Sequence, residues 1–200
     1  PTPTRPHYTF NLRDLSSVFQ GMTMATSSKV PDGLNIVRLW IHECRRVFKD
    51  RLINEQDQQW FDNTCKEQIQ IIKANCQQDG NTLTTWKDVI GITEGSRGDD
   101  VLLYSDLMSS EGKYEHISDK AALQKTVEEC LDNYNEENSK ATMNLVMFLD
   151  AIGHICRLIR ILRQPQGNAL CLGVGGSGRQ SLTRLATFIR EYDVFQVEIK

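Results

Sequence analysis

The 200-residue sequence has no apolar run approaching the 18 or so residues that a membrane-crossing helix needs. No charged-then-apolar leader opens it either. A membrane partner is therefore not expected. A dominant charge sign is also missing: 23 Lys and Arg face 26 Asp and Glu, for a net charge of −3. That near-balance gives no electrostatic basis for nucleic-acid binding. The six cysteines contain no C-x-x-C pair, and no His–Cys group has zinc-ligand spacing. Cys44, Cys65, Cys76, Cys130, Cys156 and Cys171 are expected as reduced, mostly buried thiols of a cytosolic-type compartment. His42 and His154 have no ligand-type residue three or four positions on, so packing or surface roles are expected. Internal repeats and low-complexity tracts are absent as well.

What is present suits one or two globular domains, with 40% hydrophobic residues available for a core. The first residue is Pro1 and not Met, which suggests a piece of a longer chain. The early part of the sequence reads as helical. Asn11 is placed to cap a helix whose face is Leu12, Leu15, Val18 and Phe19, and Gly21 is placed to end it. A second helix starts at Pro31-Asp32 and carries the stripe Leu34, Val37, Ile41, Cys44 and Phe48. Asn54 is placed to cap a third, with Trp60 or Phe61, then Cys65, Ile69 and Ile72, running toward Asp79-Gly80. Three such helices make a small bundle. The stretch from Gly91 to Asp100 is rich in glycine and charge and reads as a linker. "VLLY" at 101–104 is a short strand or buried turn. A helix begins at Ser118 or Asp119 and carries Leu123, Val127, Leu131 and Tyr134. Another carries Val146, Leu149, Ile152, Cys156, Ile159 and Leu162, and stops before Pro165-Gln166-Gly167.

The character changes after Gly167. "ALCL" (169–172) is an unbroken apolar run, as in a strand covered on both faces. The glycine turn Gly173 to Gly178 leads into a helix with Leu182, Leu185, Ala186 and Ile189. "VFQVEI" (194–199) then alternates as a second strand. A strand–turn–helix–strand unit of this kind is expected to be parallel and right-handed. Its glycine turn frees backbone N–H groups beside a helix N-terminus, which favours an anion. Two motifs fit it. Gly173, Gly178 and Arg179 match a phosphate loop whose lysine is arginine and whose magnesium-binding hydroxyl is replaced by Gln180. Gly173, Gly175 and Gly178 also match a dinucleotide G-x-G-x-x-G. Glu198, about 20 residues further on, would then be either the ribose carboxylate or an exposed strand residue.

Three stretches extend the comparison: "HYTFNLRDLSSVFQG", "LWIHECRRVFKDRL" and "NLVMFLDAIGHICRLIRILRQP". With "RQPQGNALCLGVGGSGRQSLTRLATFI", the chain resembles the axonemal dynein heavy chains from the lid of the third AAA+ module into the fourth. The resemblance implies an α/β fold with a helical N-terminal part, a partial AAA+ P-loop architecture. Residues 1–95 would be the third module's lid. Residues 96–200 would begin the fourth module, up to its first strand–loop–helix–strand.

It further implies a parent motor ATPase, minus-end-directed on microtubules, in the cytoplasm and cytoskeleton of a cilium or flagellum axoneme. Its partners would be neighbouring AAA+ modules, microtubules, and dynein intermediate and light chains. The loop Gly173, Val174, Gly175, Gly176, Ser177, Gly178, Arg179, Gln180 and Ser181 would hold ATP or ADP. Magnesium binding is in question because of Gln180, and no catalytic residue falls in this stretch. Arg13 would be a nucleotide sensor of the third module, or else an exposed helix arginine. Arg45, Arg46 and Arg51 are candidates for contacts between modules, beside surface roles. The site is expected to be regulatory or structural with little turnover, and the alternative is a structural connector with a vestigial loop.

Overall fold

The computed structural model describes residues 3–76, 86–90 and 102–197. The linker at 91–100, Val101, the expected end of the third helix at Asp79-Gly80, and Glu198 lie outside the described residues. The chain divides into two compact units. One comprises Pro1–Tyr104 with Lys113–His116, the other Ser105–Gly112 with Ile117–Lys200.

In the first unit α1 (Leu12–Met22), α2 (Gly33–Val47), α3 (Glu55–Cys76) and the short α4 (Trp86–Ile90) pack together. The three expected start signals are used. Asn11 accepts from the amides of Arg13 and Asp14, and the Asn11 amide donates in turn to the Asp14 carboxylate, a complete capping box. Asp32 caps α2 through the Asn35 amide, and Asn54 accepts from the Asp57 amide at 2.8 Å. The face of α1 differs from expectation. Asp14, Val18 and Gly21 are buried, whereas Leu12, Leu15 and Phe19 are exposed. Gly21 lies inside the helix, which instead ends at Thr23, whose amide donates to Phe19 O at 2.9 Å. Asp14 turns inward because it serves both the cap and an ion pair with Arg51.

The core of this unit gathers Val37, Ile41, Cys65, Ile69, Val89 and Leu102 with Tyr104 and Tyr114. Phe61 packs on it, while Trp60 is exposed. Burying each large aliphatic side chain contributes about 1.5–3 kcal/mol. Tyr104–Ser105 (β1) and Glu115–His116 (β2) form a two-stranded ladder.

In the second unit, α5 (Lys120–Glu137), α6 (Leu149–Arg163) and α7 (Arg179–Ile189) pack pairwise. Asp119 caps α5 through the Ala122 amide. Leu123, Val127, Leu131, Ile152, Ile155, Ile159, Leu185 and Ala186 are buried between them. The α6 helix starts at Leu149, so Val146 lies before it and is exposed, and Met147 is buried instead. Asn135 fixes that preceding segment. Its side chain both accepts from the Met143 amide (2.7 Å) and donates to the Met143 carbonyl (3.0 Å).

The two expected strands differ most. Residues 169–172 and 194–197 join no ladder among the described residues, and Leu170 and Phe195 are 84% and 91% exposed. Strands of a parallel sheet take their order from neighbours at both edges and layers on both faces. Within the described residues neither segment has them.

Candidate nucleotide site

The glycine turn forms although, among the described residues, no strand pairs with the segment before it. Gly176 and Gly178 have φ of +77° and +76°, in the left-handed region where a side chain costs energy. The Ser177 amide closes the turn by donating to Val174 O at 3.3 Å. Gly178 then serves as the N-cap of α7, and the first helical bond runs from the Leu182 amide to Gly178 O at 2.8 Å. The amides of Arg179, Gln180 and Ser181 precede that bond and face outward at the positive end of the helix. Residues 173–177 are exposed. The backbone thus offers donors to an anion that approaches along the α7 axis.

Gly173 is approached by side chains of its own loop. A Cβ there would lie 2.8 Å from Ser177 Oγ and 3.4 Å from Arg179 Cδ. The stem of Arg179 therefore lies against the first glycine of the loop, and its Nη2 donates to Val174 O at 3.2 Å. The lysine-equivalent cation is folded over the loop and not extended away from it.

The hydroxyl that would bind magnesium does not fit. Gln180 occupies its place and is exposed. Ser181 is rotated by roughly 100° around the helix. Thr183 Oγ1 donates to Arg179 O at 2.8 Å, so that hydroxyl is turned into the helix. Among the described residues no group of three His, Cys, Asp or Glu side chains is arranged to hold a metal.

The helix behind the loop is fixed by contacts that sequence reasoning missed. Asp106, 3% exposed in its side chain, accepts from Arg163 at 2.8 Å and from Arg190 at 2.7 Å through the same Oδ2. The end of α6 and the residue after α7 thus share one carboxylate. Phe188 meets Tyr134 of α5 edge to face, with centroids 5.2 Å apart. The signal could not be read in advance, because Asp106 and Arg190 are distant in sequence and neither sits on a regular stripe.

The arginines of the first unit divide into two kinds. Arg45 is buried and donates to Asp62 at 3.0 Å, and Asp62 also takes Lys49 at 2.8 Å. Arg46 pairs with Asp50 one turn on, and Arg51 pairs with Asp14 and donates to Thr9 O. These three, expected as surface or contact residues, are engaged inside their own unit. Arg13 is exposed, and no described residue partners its guanidinium. His42 is a packing residue, as expected. Its Nδ1 lies 3.2 Å from Leu102 O and its Nε2 3.0 Å from the Tyr114 hydroxyl, which donates to buried Glu43 at 3.0 Å.

With this geometry in place, comparison with known proteins is specific. Residues 143–200 match a family model described as the P-loop containing dynein motor region D4, and residues 1–80 match the AAA+ lid domain. The glycine turn therefore belongs to a P-loop family, which sets aside the dinucleotide reading. All of this chain aligns at 47% identity with dynein axonemal heavy chain 1 of Mus musculus and of Homo sapiens. It aligns at 42% with dynein axonemal heavy chain 17 of Homo sapiens, again over its whole length. The chain spans about 4% of the length of these relatives. The lid and P-loop matches make the architecture a partial AAA+ one. Matched from end to end, the chain belongs to the axonemal dynein heavy chain family.

Proposed function

We propose that this segment contributes a nucleotide site to a microtubule motor, and that the site regulates or braces the motor more than it turns over ATP. The observation that carries the reading is the folded loop: Gly176 and Gly178 in the left-handed region, outward amides at the start of α7, and Arg179 folded back onto Gly173 and Val174. Gly173, Val174, Gly175, Gly176, Ser177, Gly178, Arg179, Gln180 and Ser181 hold the phosphates of ATP or ADP. Phosphoryl transfer also needs a metal and a positioned water. The unsuited hydroxyl set argues for holding over splitting.

Residues 1–95 are assigned to the lid of a third AAA+ module and 96–200 to the start of a fourth. Arg13 is the lid sensor of the third module. Its exposed guanidinium supports this, since the neighbouring arginines are paired within their unit. The parent chain is a minus-end-directed motor ATPase of the ciliary or flagellar axoneme. It works with its own AAA+ modules, microtubules, and intermediate and light chains. The test is equilibrium binding of ATP and ADP to the intact fourth module. Saturable binding below millimolar nucleotide is expected, and none at millimolar nucleotide overturns the reading.

A further inference from the structure

Resting on the nucleotide reading above, we infer that this loop takes its nucleotide free of magnesium, with the Arg179 guanidinium supplying the positive charge that the metal would bring. Three observations converge. The first is the donor set. Magnesium demands near-ideal octahedral oxygen geometry and dehydrates reluctantly, so a well-placed protein oxygen matters. Here Gln180 stands at the hydroxyl position, Thr183 Oγ1 is bonded to Arg179 O, and Ser177 Oγ is turned back onto Gly173.

The second is the location of the cation. The Arg179 stem packs on Gly173 and its Nη2 reaches Val174 O at 3.2 Å, so the guanidinium already sits over the loop. Exchanging one neutral carbonyl for phosphate oxygens replaces an ordinary hydrogen bond with charge-assisted ones. The planar fork can bind two oxygens where an ammonium acts as a point charge. The third is the surrounding charge. Residues 168–186 contain Arg179 and Arg184 and no Asp or Glu. A dication beside that guanidinium would be repelled by it at short range, and within this stretch only the bound phosphates, with no carboxylate, would offset the repulsion. The nucleoside diphosphate is the favoured ligand, because its lower charge holds magnesium less tightly than the triphosphate does.

The test is hydrogen exchange on the intact heavy chain, following the peptide 168–186 while ADP is titrated in excess magnesium and, separately, in EDTA. The expected result is protection in both, with the half-protection concentration in EDTA less than about threefold above that in magnesium. A rise of about threefold or more in EDTA overturns metal-free binding while leaving the nucleotide site standing. No protection at millimolar ADP in either condition overturns the nucleotide reading and this inference with it. Arg179→Ala should abolish the protection seen in EDTA, which ties the signal to this loop. Gln180→Thr, which restores the hydroxyl, should make magnesium tighten binding by about tenfold. Unchanged exchange in α5 checks that each variant is folded.

Discussion

Asp106 carries more of the second unit than its place in a connecting segment suggests. One buried carboxylate oxygen holds two arginines, and Arg163 also donates to Gly112 O at 2.7 Å. Removing a shared buried partner leaves both guanidinium groups under-satisfied. The arginines are partly exposed, so water recovers part of the loss. Asp106→Ala is expected to lower local stability by about 2 kcal/mol, below the usual range for a fully buried pair. Faster amide exchange across α6 and α7 measures it. Cysteine chemistry separates on the same scale. Burial pushes the Cys44 and Cys65 thiols up to about 12 from 9.0. Cys171 is exposed. At pH 8, a soluble alkylating agent should modify Cys171 first and reach Cys44 and Cys65 only on unfolding. The sign for stability follows from the raised values. The folded state keeps its protons where unfolded thiols would lose them. The contribution is therefore complete below pH 9 and is lost as pH rises from 9 toward 12.

At the scale of elements, the C-terminus of α6 is set by two residues. Gln166 adopts φ +56° without being glycine, and a Cβ on Gly167 would lie 2.0 Å from Ile161 O. Gly167→Ala must therefore displace the last turn of α6, with an expected loss above about 2 kcal/mol. Gln166→Gly should gain a net of about 0.5–1 kcal/mol, as about 1–2 kcal/mol of relieved left-handed strain is partly offset by about 0.5–1 kcal/mol of entropy that glycine adds to the unfolded chain. Paired denaturation midpoints for the two variants check the opposite signs. The helix signals at Asn11, Asp32, Asn54 and Asp119 could all be read before the structure, because capping is local chemistry. The stripe on α5 could be read as well, because it buries one face. The face of α1 could not, since Asp14 is drawn inward by Arg51, a partner far along the chain. The segments 169–172 and 194–197 read as strands from their composition, yet pairing is supplied by neighbours and not by the segment itself. The loop was readable as a glycine turn of the P-loop kind, but the fold of Arg179 over Val174 depends on side-chain geometry that no motif contains.

At the scale of the whole molecule, the chain divides into two compact units, and the candidate nucleotide site lies in the second. The anchors of α7 and the loop in front of it are separable. Leu185 and Ala186 are fully buried and Arg190 is held by Asp106, whereas residues 173–177 are exposed. That separation lets the site be removed without dissolving its support. Gly178→Val puts a β-branched residue at φ +76°, which costs about 1–2 kcal/mol or more and moves the outward amides. The packing of α7 lies several residues further on and should survive, seen as unchanged exchange in α5 and α6. In the full heavy chain the variant tests the nucleotide role proposed for this loop. If the proposed site biases the motor through differential binding, its loss should shift the ATP concentration for half-maximal microtubule release by about fivefold or more. Release measured by co-sedimentation across an ATP series reads the shift directly. A variant that is folded, empty of nucleotide at this loop, and unchanged in release would mean that the loop braces the motor without switching it.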